Sequence, residues 1–268
     1  MSGVILGNTL RIAWKQMLYW GLGLGILGAY IIFIASNSDI VQGYADLFDS
    51  LPPALMNVLG ASGSELFRTT EGWVVTILVS ELALFISVYA VMAGLAISAN
   101  EEQSGILDVV LSLPISRRAF LLERWLAYAL LAFGIVLISA LLPTLTAIGV
   151  GLDADIGIIA ASIMAVYPGA LVVIAATVLL STLFRRRIAA IGAVSAFVIG
   201  SYMASILGGA ASGFLPDLLE ALSYFSYVGG ESIVSGEYEP TGALGLLAAA
   251  GLAFVLSAHL FDRRDIGT

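Results

Sequence analysis

The sequence has little charge, one histidine and no cysteine. Charged residues make up 11% of its 268 residues, whereas a soluble globular protein averages roughly 25%. That deficit leaves too little charged surface to solvate a globule of this size, while the 60% of hydrophobic residues supply ample surface for lipid. The lack of cysteine excludes disulfides and cysteine-ligated metals, and the lone His259 excludes a multi-histidine metal site within one chain.

Long apolar windows dominate what is present. A membrane-spanning helix needs about 20 mostly apolar residues, and six windows qualify. They are continuously apolar rather than strictly alternating in polarity, which favours helices over a β-barrel. The windows cover residues 17–35, 72–99, 125–150, 156–184, 188–207 and 241–261. The sequence therefore predicts an all-α integral membrane protein, a single domain over residues 1–268 with six transmembrane helices.

The basic residues fall on one side of this six-helix zigzag. Ten of the eleven precede the first window, lie between the second and third or the fourth and fifth, or follow the sixth; only Arg68 falls on the other side. Because basic loops stay in the cytoplasm, both termini are predicted to be cytoplasmic. The opposite side carries twelve acidic residues, which either keep the outer loops soluble or form a vestibule that collects cations.

Two long segments lie on the acidic side. Residues 36–71 repeat apolar positions at helical spacing around two prolines, which predicts one or two short helices at the outer interface. Residues 208–240 contain an aromatic cluster, Tyr224, Phe225 and Tyr227, which is typical of the outer headgroup zone.

The N-terminal stretch, residues 3–16, is amphipathic. Arg11 and Lys15 share one helical face, and Trp14 lies among the apolar positions. Such a helix would lie in the cytoplasmic interface with Trp14 at headgroup depth. The alternative is that it continues the first span inward.

Several residues inside the windows have two interpretations. Glu81 is the only acid there; it either lines a substrate path or is a structural acid paired with Ser80, Ser87 or a hydroxyl on the fifth span. The small residues Gly21, Gly25 and Gly28 either let another helix approach closely or are merely tolerated. Two prolines within the third and fourth windows, Pro143 and Pro168, predict kinks or breaks.

The segment between the second and third windows is the most informative part of the chain. It begins with Glu101 and Glu102, continues as an apolar stretch over residues 106–113, and stops at Pro114 before a basic Ser-Arg-Arg. In physical terms, this is a cytoplasmic helix with one exposed apolar flank. An apolar flank outside the bilayer usually has a protein partner.

This segment resembles the connection between the second and third helices of the type-two ABC exporter permeases, the six-helix membrane subunits of ATP-driven exporters. The shared pattern is Glu-Glu-x-x-Gly-x-Leu-(x)5-Leu-Pro-Ile-Ser-Arg-(x)5-Glu-Arg, which runs from Glu101 to Arg124. The family usually has Lys where Arg124 stands, a departure that keeps the charge. The layout of the remaining chain also matches, from the amphipathic N-terminal helix to the closing residues 261–265.

The resemblance implies a role for each of these parts. Residues 3–16, with Arg11, Trp14 and Lys15, would be the elbow helix, and Glu101 to Leu113 would be a coupling helix inserted into a cleft of a separate ATPase subunit. The residues it assigns to coupling are Glu101, Glu102, Gly105, Ile106, Leu107, Val110, Leu111, Pro114 and Arg117. Two permease copies, identical or homologous, would be rocked by two ATPase subunits between inward- and outward-facing states.

The sequence itself contains no Gly-x-x-x-x-Gly-Lys-[Ser/Thr] phosphate loop. In an ATP-driven exporter, ATP and Mg would therefore be bound by the partner subunit, and this chain is predicted to be a transport subunit without catalytic residues, cofactor, metal or nucleic-acid partner. Two other functions are weighed against this one. An ion-coupled secondary transporter normally needs more helices and more intramembrane charge. An intramembrane enzyme would need a His-Glu-x-x-His or Gly-x-Ser-x-Gly motif, and the sequence has neither.

Overall fold

The computed structural model describes residues 3–50, 66–67, 69–97, 116–184, 186–210 and 215–263, and in this part of the chain all the regular structure is helical. In chain order the helices are α1 (Val4–Ala35), α2 (Ser38–Asp49), α3 (Thr70–Ile97), α4 (Arg117–Val150), α5 (Ile156–Met164), α6 (Tyr167–Leu183), α7 (Arg187–Ala210), α8 (Leu215–Leu222), a 3-10 turn (Phe225–Tyr227), α9 (Gly230–Val234) and α10 (Pro240–Arg263). Six stretches are long and apolar enough to cross a membrane, namely α1, α3, α4, α5 with α6, α7 and α10. The predicted six-span, all-α architecture is confirmed.

The first span and the N-terminal stretch form one uninterrupted helix. α1 has 32 residues, so it is about 48 Å long and exceeds a hydrocarbon core of about 30 Å by several turns. The amphipathic residues are therefore the first turns of the first span, as the second of the two alternatives for this stretch predicts. Among the described residues, no separate helix precedes α1.

α1 and α4 run parallel and pack along their whole length, because glycines let their backbones approach. A Cβ atom at Gly21 would lie 3.0 Å from the Cβ atom of Ile138, and one at Gly28 would lie 2.5 Å from the Pro143 ring. A Cβ at Gly25 would lie 3.2 Å from the Ile138 carbonyl oxygen. The close-approach interpretation of these three glycines is thus confirmed. Pro143 lies inside α4, which continues through it as one helix. The sequence allows a kink or a break at this proline, and a break is not observed.

The fourth span is central to the bundle and is interrupted. α5 ends at Met164, two turn residues follow, and α6 begins at Tyr167 with Pro168 in its first turn. Proline fits this position because the N–H groups of the first helical turn have no acceptor within the helix, so the N–H that proline lacks costs no hydrogen bond. The break predicted at Pro168 is confirmed, and α6 packs between α3, α7 and α10.

The segment after the fifth span turns back into the bundle. α8 packs against α7, and the chain then places Ser223 and Tyr224 in buried positions before α9. Tyr224 is 5% exposed and its ring stacks on Phe197 with ring centroids 5.7 Å apart. The sequence predicts the aromatic cluster at the headgroup zone. The buried position of Tyr224 differs from that prediction, while Tyr227 stays exposed.

Candidate functional site

One face of the bundle gathers the ends of the described chain and the start of the third span. Gly3 contacts Glu123, and Arg118 forms an ion pair with Asp262. This face, formed by the first turns of α1, α4 and α7 and the last turn of α10, is called the basic face below. The opposite face carries Glu71, whose carboxylate accepts a 2.9 Å hydrogen bond from the Asp155 backbone N–H.

Most of the predicted coupling residues lie outside the described residues. These are Glu101, Glu102, Gly105, Ile106, Leu107, Val110, Leu111 and Pro114. The ninth, Arg117, is the first residue of α4 on the basic face. Ser116 caps that helix, since its hydroxyl oxygen accepts from the Ala119 N–H at 3.2 Å. The undescribed segment is therefore bracketed by the ends of two spanning helices, α3 and α4.

The start of α4 is bound to the rest of the bundle through its side chains. The Arg118 guanidinium pairs with Asp262 at the end of α10. One turn further, the Arg124 guanidinium lies over the Phe120 ring at 5.4 Å, and the rings of Trp125 and Phe254 are 5.0 Å apart. The first and third of these contacts link the start of α4 to the sixth span, whereas the Arg124–Phe120 contact lies within α4.

Glu123 makes the most specific contact on the basic face. Its carboxylate accepts hydrogen bonds from three backbone N–H groups at the start of α1, those of Gly3 at 2.9 Å, Ile5 at 3.0 Å and Leu6 at 3.2 Å. The helix begins after Gly3, whose φ of 97° is left-handed and which has no side chain for capping. A remote carboxylate thus supplies the cap. In the sequence Glu123 stands out only as part of the family pattern, because a cap from 120 residues away leaves no local signal.

The residues predicted for the elbow lie further along α1 than this contact. The Arg11 guanidinium donates to the Asn8 side-chain oxygen at 3.2 Å, and the Lys15 ammonium lies 5.9 Å from the centre of the Trp14 ring. Arg11, Trp14 and Lys15 are all exposed. Their positions suit the headgroup region, where an amphipathic ring and basic side chains meet anionic lipid.

Glu81 lies on the exposed surface of the chain, not in its interior. It is eleven residues past the start of the 28-residue helix α3, so it is about 17 Å along a helix about 42 Å long and near the middle of the hydrocarbon layer. It shares an exposed face with Phe85, Val88 and Met92. Among the described residues Glu81 has no hydrogen-bond or ion-pair partner.

The hydroxyls that would make Glu81 a structural acid have other partners. Ser80 donates to the Thr76 carbonyl at 2.7 Å. Ser87 is 2.8 Å from the Tyr224 hydroxyl. On the fifth span, Ser201 accepts from the Tyr224 N–H at 2.9 Å. Ser87 and Ser201 tie spans two and five to the inward-turning loop. Ser80 bonds within its own helix, and Glu81 stays exposed.

The described interior of the chain is closely packed around the second span. The cavity lined by Leu24, Leu82, Ile86, Val136, Ser139, Ile163 and Val166 is only about the size of a water molecule. Cargo does not fit there. Glu81 lies outside this cavity, on the exposed face of α3.

Comparison with known protein families gives a match over most of the chain. The model of the family described as "Multidrug efflux system permease Rv1217c, C-terminal domain" matches residues 5–261, nearly the whole chain. No curated protein matches the chain.

Proposed function

The chain belongs to the family of the C-terminal domain of the multidrug efflux system permease Rv1217c, and from this membership we propose that it is the membrane subunit of an exporter driven by a separate ATPase. That it is a multi-pass membrane permease follows from the family and from six helices able to span a membrane. The use of ATP by a separate subunit is the part that we propose beyond the family and the six helices. The family match over residues 5–261 carries the permease role, and the resemblance of residues 101–124 to the type-two ABC exporter permeases supports the separate ATPase.

The arrangement of the basic face supports an ATPase that binds there. The segment 98–115 joins two spanning helices on this face and carries the apolar flank of Ile106, Leu107, Val110 and Leu111. Ten of the eleven basic residues lie on the same side, so this side is cytoplasmic by the positive-inside rule. Cytoplasm is where ATP is available. Both termini are cytoplasmic in this arrangement.

The uncovered faces of the last two spans support assembly with a second permease, identical or homologous. Only 28% of the best window of the fifth span and 22% of that of the sixth are buried within one chain, against 56% for the second and fourth spans. The fourth span is buried because α3, α7 and α10 surround it. The fifth and sixth spans present their open sides to lipid or to a second chain.

The experiment for this function is a capture and activity assay. The permease, expressed with an ABC ATPase encoded beside it, is expected to retain that ATPase through detergent solubilisation. The reconstituted complex is expected to hydrolyse ATP faster in the presence of an exported compound. A permease that transports cargo down an ion gradient without any ATPase would contradict the proposal and favour a secondary transporter.

Within this function we assign Glu81 to the cargo path. Glu81→Gln is expected to lower export about tenfold or more. A carboxylate at this depth has no partner within the described chain, so we expect the cargo to offset its charge, and glutamine removes that interaction. A tenfold change corresponds to about 1.4 kcal/mol. The measurement is export into inverted vesicles at matched protein amounts. Ser80→Ala is the control, since Ser80 is an exposed neighbour that donates to its own helix. Unchanged export of several verified cargoes by Glu81→Gln would contradict the assignment.

A further inference from the structure

The start of α1 is held by a side chain from another helix. The three N–H groups of Gly3, Ile5 and Leu6 all donate to the Glu123 carboxylate, with both oxygens in use. The first N–H groups of a helix have no partner within it. They are usually satisfied by a capping side chain just before the helix or by water. Here the preceding residue is a glycine, and a neighbouring span supplies the acceptor instead.

The contact continues a packing register that runs the length of both helices. Leu6 and Glu123 are 117 residues apart, and the same separation recurs where Gly21 meets Ile138 and Gly25 meets Leu142. α1 and α4 are therefore two parallel helices in one fixed register. Glu123 is the polar end of an interface that is otherwise built from glycine and apolar side chains.

The position of Glu123 along α4 gives this contact a mechanical meaning. α4 is continuous from Arg117 to Val150 and begins directly after the segment 98–115. Glu123 lies in its second turn. A displacement of that segment is passed to α3 and to α4, which it joins. On α4, the Glu123 carboxylate accepts hydrogen bonds from the backbone of the first span.

We propose that Glu123 is a positioning residue that ties the start of the first span to the start of the third, so that α1 and α4 move together when the segment 98–115 is displaced. This inference rests on the proposed function, because it describes how a movement of the ATPase would be transmitted to the spanning helices. Without the tie, α4 would move while the N-terminal end of α1 lagged behind. Exporter cycles would then consume ATP with fewer cargo molecules moved.

Two measurements on Glu123→Ala test the tie. In the permease alone, amide hydrogen exchange over residues 4–8 is expected to speed up by about tenfold or more, because exchange follows local opening of the helix end. In the complex, cargo exported per ATP hydrolysed is expected to fall by about threefold or more, while ATPase capture and ATP hydrolysis persist. Glu123→Gln keeps an acceptor oxygen without charge, so it should fall between wild type and Glu123→Ala in both measurements.

A matched control separates the tie from general damage to the basic face. Asp262→Asn removes the ion pair with Arg118, which lies about one turn from Glu123 on the same helix but leaves α1 untouched. It is expected to change neither the exchange of residues 4–8 nor the export ratio.

Each remaining outcome is decisive. Unchanged exchange in Glu123→Ala would overturn the tie itself, and faster exchange with an unchanged export ratio would reduce Glu123 to a helix cap and overturn its role in transport. A wild-type permease that captures no ATPase would overturn the proposed function instead. That failure is distinguishable, because the exchange measurement uses the permease alone.

Discussion

A chain that carries Leu107→Asp and Leu111→Asp is expected to export no cargo and to lose the proposed ATPase partner. Both leucines belong to the apolar flank that the sequence predicts for the segment 98–115, which lies outside the described residues. If this flank docks in a cleft of the ATPase, each new carboxylate must be buried there without a partner. Uncompensated buried charge costs about 3–5 kcal/mol, and every 1.4 kcal/mol weakens binding about tenfold. Two such charges exceed what a transient subunit contact tolerates.

The measurement is a pull-down of the detergent-solubilised permease beside wild type, with export assayed in the same cells. Insertion should be normal, because neither substitution touches a spanning helix. Ser112→Asp is the control, since a helical arrangement puts Ser112 opposite the apolar flank and a charge there would stay in water. Full recovery of the ATPase by the double variant, with normal export, would mean that this segment does not transmit the stroke.

Hydropathy predicts the spans well because the bilayer imposes a length. The six windows match the six helices able to span a membrane, and the glycines of α1 mark a real helix contact. What hydropathy does not predict is where a helix stops outside the lipid. α1 keeps packing on α4 beyond the hydrocarbon, so the amphipathic turns continue the span instead of leaving it. Amphipathicity shows only that one face of a helix is apolar. This pattern is the same whether the stretch lies in the interface or continues the first span.

The inward turn after the fifth span is missed for a similar reason. Tyr224 would suit a headgroup by composition, yet its hydroxyl meets Ser87 and its N–H is bound by Ser201. Backbone that leaves helical geometry at membrane depth is tolerated only where protein buries it, and those partners are more than 20 residues away in sequence. Glu123 shares this property. Its role comes from a contact between spans one and three, which residue types and local spacing do not encode.

A tight contact between the second and fourth spans gives the second large prediction. A Cβ atom at Gly94 would overlap the Cβ atom of Thr177 and lie 2.9 Å from the Ile174 carbonyl oxygen, both on α6. Gly94→Ala must therefore push α3 away from α6. Overpacking of this kind costs typically about 1–3 kcal/mol, which for a chain of this size corresponds to a fall in melting midpoint of roughly 3–10 °C.

A matched substitution isolates the clash from helix propensity. Gly192 lies on α7, and a Cβ atom added there would have no neighbouring atom within 4 Å. Gly192→Ala should therefore leave the midpoint unchanged or raise it slightly, because alanine favours a helix over glycine. Thr177→Gly, combined with Gly94→Ala, removes the nearer obstacle and should recover part of the loss. Size-exclusion profiles after heating in detergent would compare these three variants with wild type.

The same contact bears on export as well as on stability. Gly94 lies one turn from Ile97, where the described part of α3 ends and the segment 98–115 follows. Close packing at Gly94 therefore fixes that end of α3 to the central fourth span, as Glu123 fixes the start of α4 to α1. A chain with Gly94→Ala, assayed well below its melting midpoint, is expected to export less cargo per ATP than Gly192→Ala does. Equal midpoints and equal export for the two alanine variants would show that α3 and α6 are not in contact at Gly94.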